Sequence, residues 1–153
     1  MELTQEIKNK IIQEYTFWED KQYQNKTKKE RDELGQFFTP PNITIKMLEK
    51  IPLNGKSIYD MTILDPTVGA GGLLAAAIIA GADPKKCYGN EYDADILTGC
   101  KERLIPLGVP DINLHQGDAT IPECISLESF NKNYSWTEIQ LKHGLISGTI
   151  DLW

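Results

Sequence analysis

The stretch Ile63-Leu64-Asp65-Pro66-Thr67-Val68-Gly69-Ala70-Gly71-Gly72-Leu73 decides how the rest of the chain is read. It passes from apolar residues suited to a buried strand into an acid, then through Gly69-x-Gly71-Gly72 into Gly71 to Ala80, small and apolar enough for a buried helix. A strand that ends in a carboxylate and turns through glycines into a helix is a loop built to let backbone approach a ligand, with helix amides pointing at it. Glycine suits those positions because a side chain would occupy the ligand's space. A glycine-rich turn by itself is also compatible with a plain tight turn, so the neighbouring residues carry the argument.

Downstream, Lys86 to Glu91 reads as a second strand, Asp93 to Leu107 as a helix and Asp111 to Gln116 as a third strand, with Ile58 to Asp65 as the first. Strand, helix, strand, helix, strand predicts an α/β fold: a partial Rossmann-like parallel sheet of three to four strands with flanking helices. Glu91 falls twenty residues after Gly71, at the expected end of the second strand, where an acid accepts hydrogen bonds from both ribose hydroxyls. Asp93 is a weaker candidate for the same role. Gly117-Asp118 closes the third strand with another carboxylate, suited to an adenine amino group. Ligands of open parallel sheets bind at the carboxyl ends of the strands, so Asp65, Glu91 and Asp118 are expected to converge on one crevice.

The chemistry of that crevice narrows the ligand. No Gly-Lys-Ser/Thr sequence is present, which argues against a triphosphate-cradling loop. An acidic pocket suits a positive sulfonium better than a pyrophosphate, favouring S-adenosylmethionine (SAM) over a nicotinamide dinucleotide. His115 and His143 have no Cys, Ser or second His at metal or triad spacing, so neither metal nor triad chemistry is expected.

Upstream, Leu3, Ile7, Ile11, Tyr15 and Trp18 recur at helical spacing and predict an amphipathic helix, packed on its own domain or on a partner. Thr4 lacks the Glu or Gln three residues on that would make a capping box, leaving the helix start open. Gly35 to Pro41 interrupts the helical pattern, and Thr44 to Ile51 reads as a short amphipathic helix. The expected organisation is a helical segment over 1–34, a cofactor-binding core over 35–120 and a tail over 121–153. The tail offers two helical pieces, Ile121 to Phe130 and Trp136 to His143, and a terminal strand candidate, Gly144 to Trp153.

The chain has 153 residues, 41% of them hydrophobic, enough for a folded core and short for a complete enzyme of this type. Its formal charge of −6 argues against tight DNA binding by the chain alone, because phosphate neutralisation needs clustered Lys and Arg. Only Lys21 to Arg31 leans the other way, and such a run more often forms a solvated helix end. Cys87, Cys100 and Cys124 are odd in number and widely spaced, which suggests reduced, packed thiols. An acidic, polar N-terminus and the lack of a long apolar run predict a cytoplasmic protein without a membrane partner.

Taken in order, Gly35-Gln36-Phe37-Phe38-Thr39-Pro40, Asp65-Pro66-x-x-Gly69-x-Gly71-Gly72-Leu73, Gly89-Asn90-Glu91-Tyr92-Asp93 and Gly117-Asp118 resemble the amino-methylating (N6-adenine) DNA methyltransferases. The likeness is closest to the modification subunits of type I restriction systems, and it spans the region from Gly35 to Asp118. It implies that Phe38, Thr39, Pro40, Asp65 and the glycine loop flank the methionine part of SAM, that Glu91 holds the ribose and that Asp118 meets the adenine. The candidate cofactor-binding set is Phe38, Thr39, Pro40, Asp65, Pro66, Gly69, Gly71, Gly72, Glu91, Tyr92 and Asp118, for SAM or S-adenosylhomocysteine.

The same family carries a fourth motif, Asn or Asp followed by Pro-Pro and an aromatic, that grips the flipped base. These residues contain no such tetrapeptide, and the only Pro-Pro is Pro40-Pro41. No catalytic residue is therefore assigned. The leading expectation is a SAM-binding protein derived from adenine methyltransferases without autonomous catalysis, in a regulatory, decoy or SAM-sensing role. The alternatives are a methyltransferase subunit completed by a partner chain, a structural or interaction module with a vestigial pocket, and a SAM-degrading enzyme. A half-sheet also leaves a strand edge to be covered, by the tail, by a second copy or by a protein partner, with DNA reached only through that partner.

Overall fold

The computed structural model describes residues 1–23 and 38–119. Gly35 to Phe37, the basic run from residue 24 onward, and the helices and strand expected after Thr120 lie outside the described residues.

Helix α1 spans Gln5–Tyr23. Its start is set by Thr4, whose Oγ1 accepts the Ile7 amide at 3.3 Å while its carbonyl accepts the Lys8 amide at 3.0 Å. A lone threonine cap thus does what a capping box does elsewhere. Of the predicted apolar stripe, Leu3 and Ile11 are buried, Ile7 packs against the core, and Tyr15 and Trp18 are half-buried. The stripe packs within the chain, on helix α2 (Pro41–Glu49) and helix α3 (Gly72–Ile79). Helix α2 begins earlier than the predicted Thr44. Proline 41 occupies the first turn, where a missing amide costs nothing, and the Pro40 carbonyl accepts the Ile43 and Thr44 amides at 3.0 Å each.

Three parallel strands form the sheet: β1 (Ile63–Asp65), β2 (Cys87–Glu91) and β3 (Leu114–Gln116), in the order β1-β2-β3. Asp65 pairs with Gly89, and Glu91 pairs with Gln116, so all three carboxyl ends lie on one rim. Helix α3 packs on β1, and helix α4 (Ala94–Leu104) packs on β2 and β3. Asp93 caps α4 by accepting the Asp95 and Ile96 amides at 2.9 and 3.1 Å.

Two strands are shorter than predicted. Ile58–Asp60 is a single 3-10 turn, because the Ser57 hydroxyl accepts the Tyr59 amide at 3.2 Å and closes the backbone locally. Ile58 is still buried, which is why its apolar pattern imitated a strand. Asp111–Asn113 is likewise a 3-10 turn following Pro110. There Asn113 turns inward, and its Nδ2 donates to the carbonyls of Lys85 and Cys87 at 3.2 and 3.0 Å, buckling the entrance of β3 onto that of β2. The core collects Leu48, Leu74, Ala75, Ala77, Cys87, Cys100 and Leu104 at essentially zero exposure. No helix among the described residues is long and apolar enough to cross a membrane.

Candidate functional site

The site begins where β1 stops. Asp65 Oδ1 accepts the Thr67 amide at 3.1 Å, an Asx turn that diverts the chain from strand direction. The loop then folds back over the end of β2, with the Val68 amide donating to the Asn90 carbonyl at 2.8 Å. Gly89 makes room for this, since a Cβ there would stand 2.9 to 3.1 Å from the Val68 side chain. Gly69 and Gly71 both have positive φ, +53° and +79°, and Gly71 leads directly into α3.

The glycines are needed for reasons the sequence did not distinguish. A Cβ on Gly71 would meet Leu104 at 2.9 Å and Cys100 at 3.1 Å, so this glycine serves the close packing of loop on α4. A Cβ on Gly72 would come within 3.4 Å of the Arg103 guanidinium. At Gly69 the nearest atom is 4.0 Å away, and the requirement there is the backbone angle. Packing against Leu104 and Cys100 is thus enough to exclude a side chain at Gly71, apart from any space a ligand needs.

Glu91 reaches from the end of β2 to this loop. Its Oε2 accepts the Gly69 amide at 2.9 Å and its Oε1 accepts the Asp93 amide at 3.0 Å. A carboxylate oxygen has a second lone pair, so both oxygens retain acceptor capacity for a ligand. Asn90, buried beside it, donates through Nδ2 to the Pro66 carbonyl at 3.1 Å and the Gly117 carbonyl at 2.9 Å. With the Gly117 amide donating to the Glu91 carbonyl at 3.0 Å, the ends of all three strands are bound into one rim.

Beside the loop lies a cavity of about 160 Å³. Tyr15, Trp18 and Glu19 of α1 line it, with Phe38 and Thr39 ahead of α2, and Asp65, Gly69 and Gly72 on the loop side. It is smaller than the roughly 300–1,000 Å³ of a typical ligand pocket, a size for one end of an extended ligand. Burial pushes the Asp65 carboxyl up to about 6 and the nearby Glu91 charge adds to this, against the opposing effect of the Thr67 amide bond. Arg103 also borders the cavity, but its Nε and Nη2 hold the Glu14 carboxylate at 2.7 and 2.6 Å. The cavity therefore offers carboxylates and aromatic faces, a lining suited to a cation.

Of the candidate set, Phe38, Thr39, Asp65, Gly69 and Gly72 meet in this cavity, and Glu91 joins them through the Gly69 amide. Pro40, Pro66, Gly71, Tyr92 and Asp118 are not among its walls. Pro40 caps α2, the Pro66 carbonyl receives Asn90, Tyr92 is 73% exposed on the rim, and Asp118 follows β3 half-buried. Missing from the sequence reading were Asn90, Glu14 and Arg103, and the role of Tyr15 and Trp18 as a cavity wall. A signal existed for two of these: Glu14 lies three residues after Ile11 and four before Trp18, and Arg103 lies three after Cys100, each a charge on an apolar helix face. Among the described residues no group of His, Cys, Asp or Glu is arranged to hold a metal ion.

A parallel sheet with flanking helices and an acid-tipped glycine loop is a partial Rossmann-like methyltransferase fold. The N-6 DNA Methylase family matches residues 4–120, and the chain belongs to that family. The Type II methyltransferase M.NspV of Nostoc sp. (strain ATCC 29411 / PCC 7524) is 31% identical over 86 residues, which are 56% of this chain and 18% of that protein. The chain thus matches less than a fifth of that relative's length. No solved structure matches it.

Proposed function

We propose that this chain binds SAM, with the methionine end in the cavity between α1 and the glycine loop and the adenosine along the rim toward Glu91 and Asp118. The observation that carries the reading is Asp65, a desolvated carboxylate in a cavity walled by Tyr15, Trp18 and Phe38. Desolvating an acid is unfavourable, and a cation beside it offsets the cost. The cofactor, when bound, supplies an electrophilic methyl group on a sulfonium. Asp65 accepts from the ammonium group, Glu91 accepts from the ribose hydroxyls while holding Gly69, Tyr92 covers the adenine and Asp118 accepts from its amino group. S-adenosylhomocysteine fits the same contacts except those that depend on the sulfonium charge.

These residues bind the cofactor without transferring its methyl group on their own, since no Asn/Asp-Pro-Pro-aromatic loop is present to hold an adenine. A second reading, completion by a partner chain, is favoured by the outer edge of β1, which pairs with no strand among the described residues. In that reading the partner brings the DNA surface that a chain of charge −6 lacks, and the complex works in the cytoplasm.

Isothermal titration with SAM and with S-adenosylhomocysteine tests the cofactor reading. Binding is expected for both, and Glu91→Gln is expected to weaken both, because the amide nitrogen cannot accept from Gly69 or Asp93. The absence of both heat and a thermal shift at millimolar SAM would refute the reading. A tritiated methyl-transfer assay on adenine-containing DNA should give no incorporation with the chain alone. Incorporation only after adding a co-purified partner would select completion in trans.

A further inference from the structure

We propose that the pair formed by half-buried Glu14 and buried Arg103 is a positioning element of this site, coupling the docking of α1 to the shape of the glycine loop. The inference rests on reading the cavity as a cofactor site.

Arg103 is 5% exposed and comes from the face of α4 that carries Cys100 and Leu104. Its Nε and Nη2 make the two-pronged pair with Glu14 of α1, while Nη1 donates to the Ala70 carbonyl at 3.1 Å. Ala70 sits between Gly69 and Gly71, the two loop residues with positive φ. Glycines give a peptide unit freedom to rotate, and a guanidinium on the carbonyl removes it. The absence of a side chain at Gly72 leaves the guanidinium its place, 3.4 Å from where a Cβ would stand.

The other end of the fork determines where α1 lies. Tyr15 follows Glu14 directly and Trp18 comes one turn later, and both are cavity walls. The Arg103 guanidinium carbon lies 5.9 Å from the Trp18 ring centre. Other ion pairs also hold α1, Lys8–Glu49 at 2.6 Å and Lys21–Glu102 at 3.0 Å. Both are more exposed, and neither reaches the loop. Of these three pairs, Glu14–Arg103 is the one that touches wall and loop together, so a shift in one is transmitted to the other. A lysine ammonium lacks the planar fork that spans both partners.

The test measures SAM affinity by calorimetry and Tm by thermal melting on the 153-residue chain and four variants. Glu14→Gln and Arg103→Lys should weaken SAM binding by roughly tenfold or more, the size expected for lost charge-assisted hydrogen bonds. Ile11→Val, buried on α1 away from the cavity, should lower Tm while leaving Kd within about twofold. The exchange Glu14→Arg with Arg103→Glu should recover part of the Tm lost in the single variants but not affinity, since a carboxylate cannot donate to the Ala70 carbonyl. Pair variants that bind within about twofold of wild type, or an exchange that restores affinity, would overturn the inference alone. Failure of the wild type to bind SAM overturns the cofactor reading and this inference with it. Should the exchanged chain not fold, Arg103→Lys against Ile11→Val decides, and equal affinity in these two refutes a positioning role.

Discussion

Replacing Asp65 by asparagine should make the ligand-free protein more stable and the site weaker. Burial raises the Asp65 carboxyl from its ordinary 3.8 to about 6. Between those values the folded chain holds the proton more tightly than the unfolded one, so stability falls as pH rises through this window and stays lowest above it. At about 1.4 kcal/mol per pKa unit the cost at pH 7.5 has a ceiling of about 3 kcal/mol. Residual solvent contact of the half-buried side chain brings this to about 1–2 kcal/mol. Asparagine removes the charge and keeps an oxygen to accept the Thr67 amide. Asp65→Asn should therefore raise Tm by about 2–8 °C at pH 7.5 for a domain of this size. At pH 4 most of that gain should vanish, because the wild-type acid is then almost fully protonated when folded and no charge is buried, while the unfolded acid is only partly protonated. Wild-type SAM affinity should increase from pH 5 to pH 7.5 as Asp65 ionises, and the variant should lose that dependence. Melting both proteins at the two pH values is the assay. A variant less stable than wild type at pH 7.5, or a gain of equal size at both, would refute the reasoning.

Gly71→Ala should destabilise by about 2–4 kcal/mol, combining a left-handed backbone angle with a contact of 2.9 Å on Leu104, read as a lower denaturant midpoint at unchanged m. Asn90→Ala strips the Pro66 and Gly117 carbonyls of their buried donor and should cost about 1–3 kcal/mol in chemical denaturation, with faster amide exchange in the loops following β1 and β3. Cys87 and Cys100 are buried, with burial pushing both thiols up to about 12, so iodoacetamide at pH 8 should leave them unmodified until the chain unfolds. Mass mapping of a fully folded sample that shows either one alkylated as fast as a free thiol would contradict this packing.

What could be read along the chain was whatever is governed by near neighbours. The 3.6-residue stripe from Leu3 to Trp18 specified α1, and the glycine loop after an apolar run specified β1 turning into α3. Where local chemistry offered two outcomes, the pattern misled: Ile58 and Ile112 alternate like strand residues, yet Ser57 and Pro110 bend those segments into 3-10 turns. Tertiary packing also gave Gly71 a further reason to be glycine, clearance from Leu104.

The sequence by itself determined the α/β order, the family, and the carboxylates at three successive strand ends, because strand-loop-helix grammar and motif order are properties of adjacent residues. Only the tertiary structure decided that α1 supplies a cavity wall, that Asn90 binds the rim across separations of 24 and 27 residues, and that Arg103 meets Glu14 across 89. Such contacts depend on the path the chain takes between their partners, and each charged or amide side chain is compatible with solvent until that path brings its acceptor within reach.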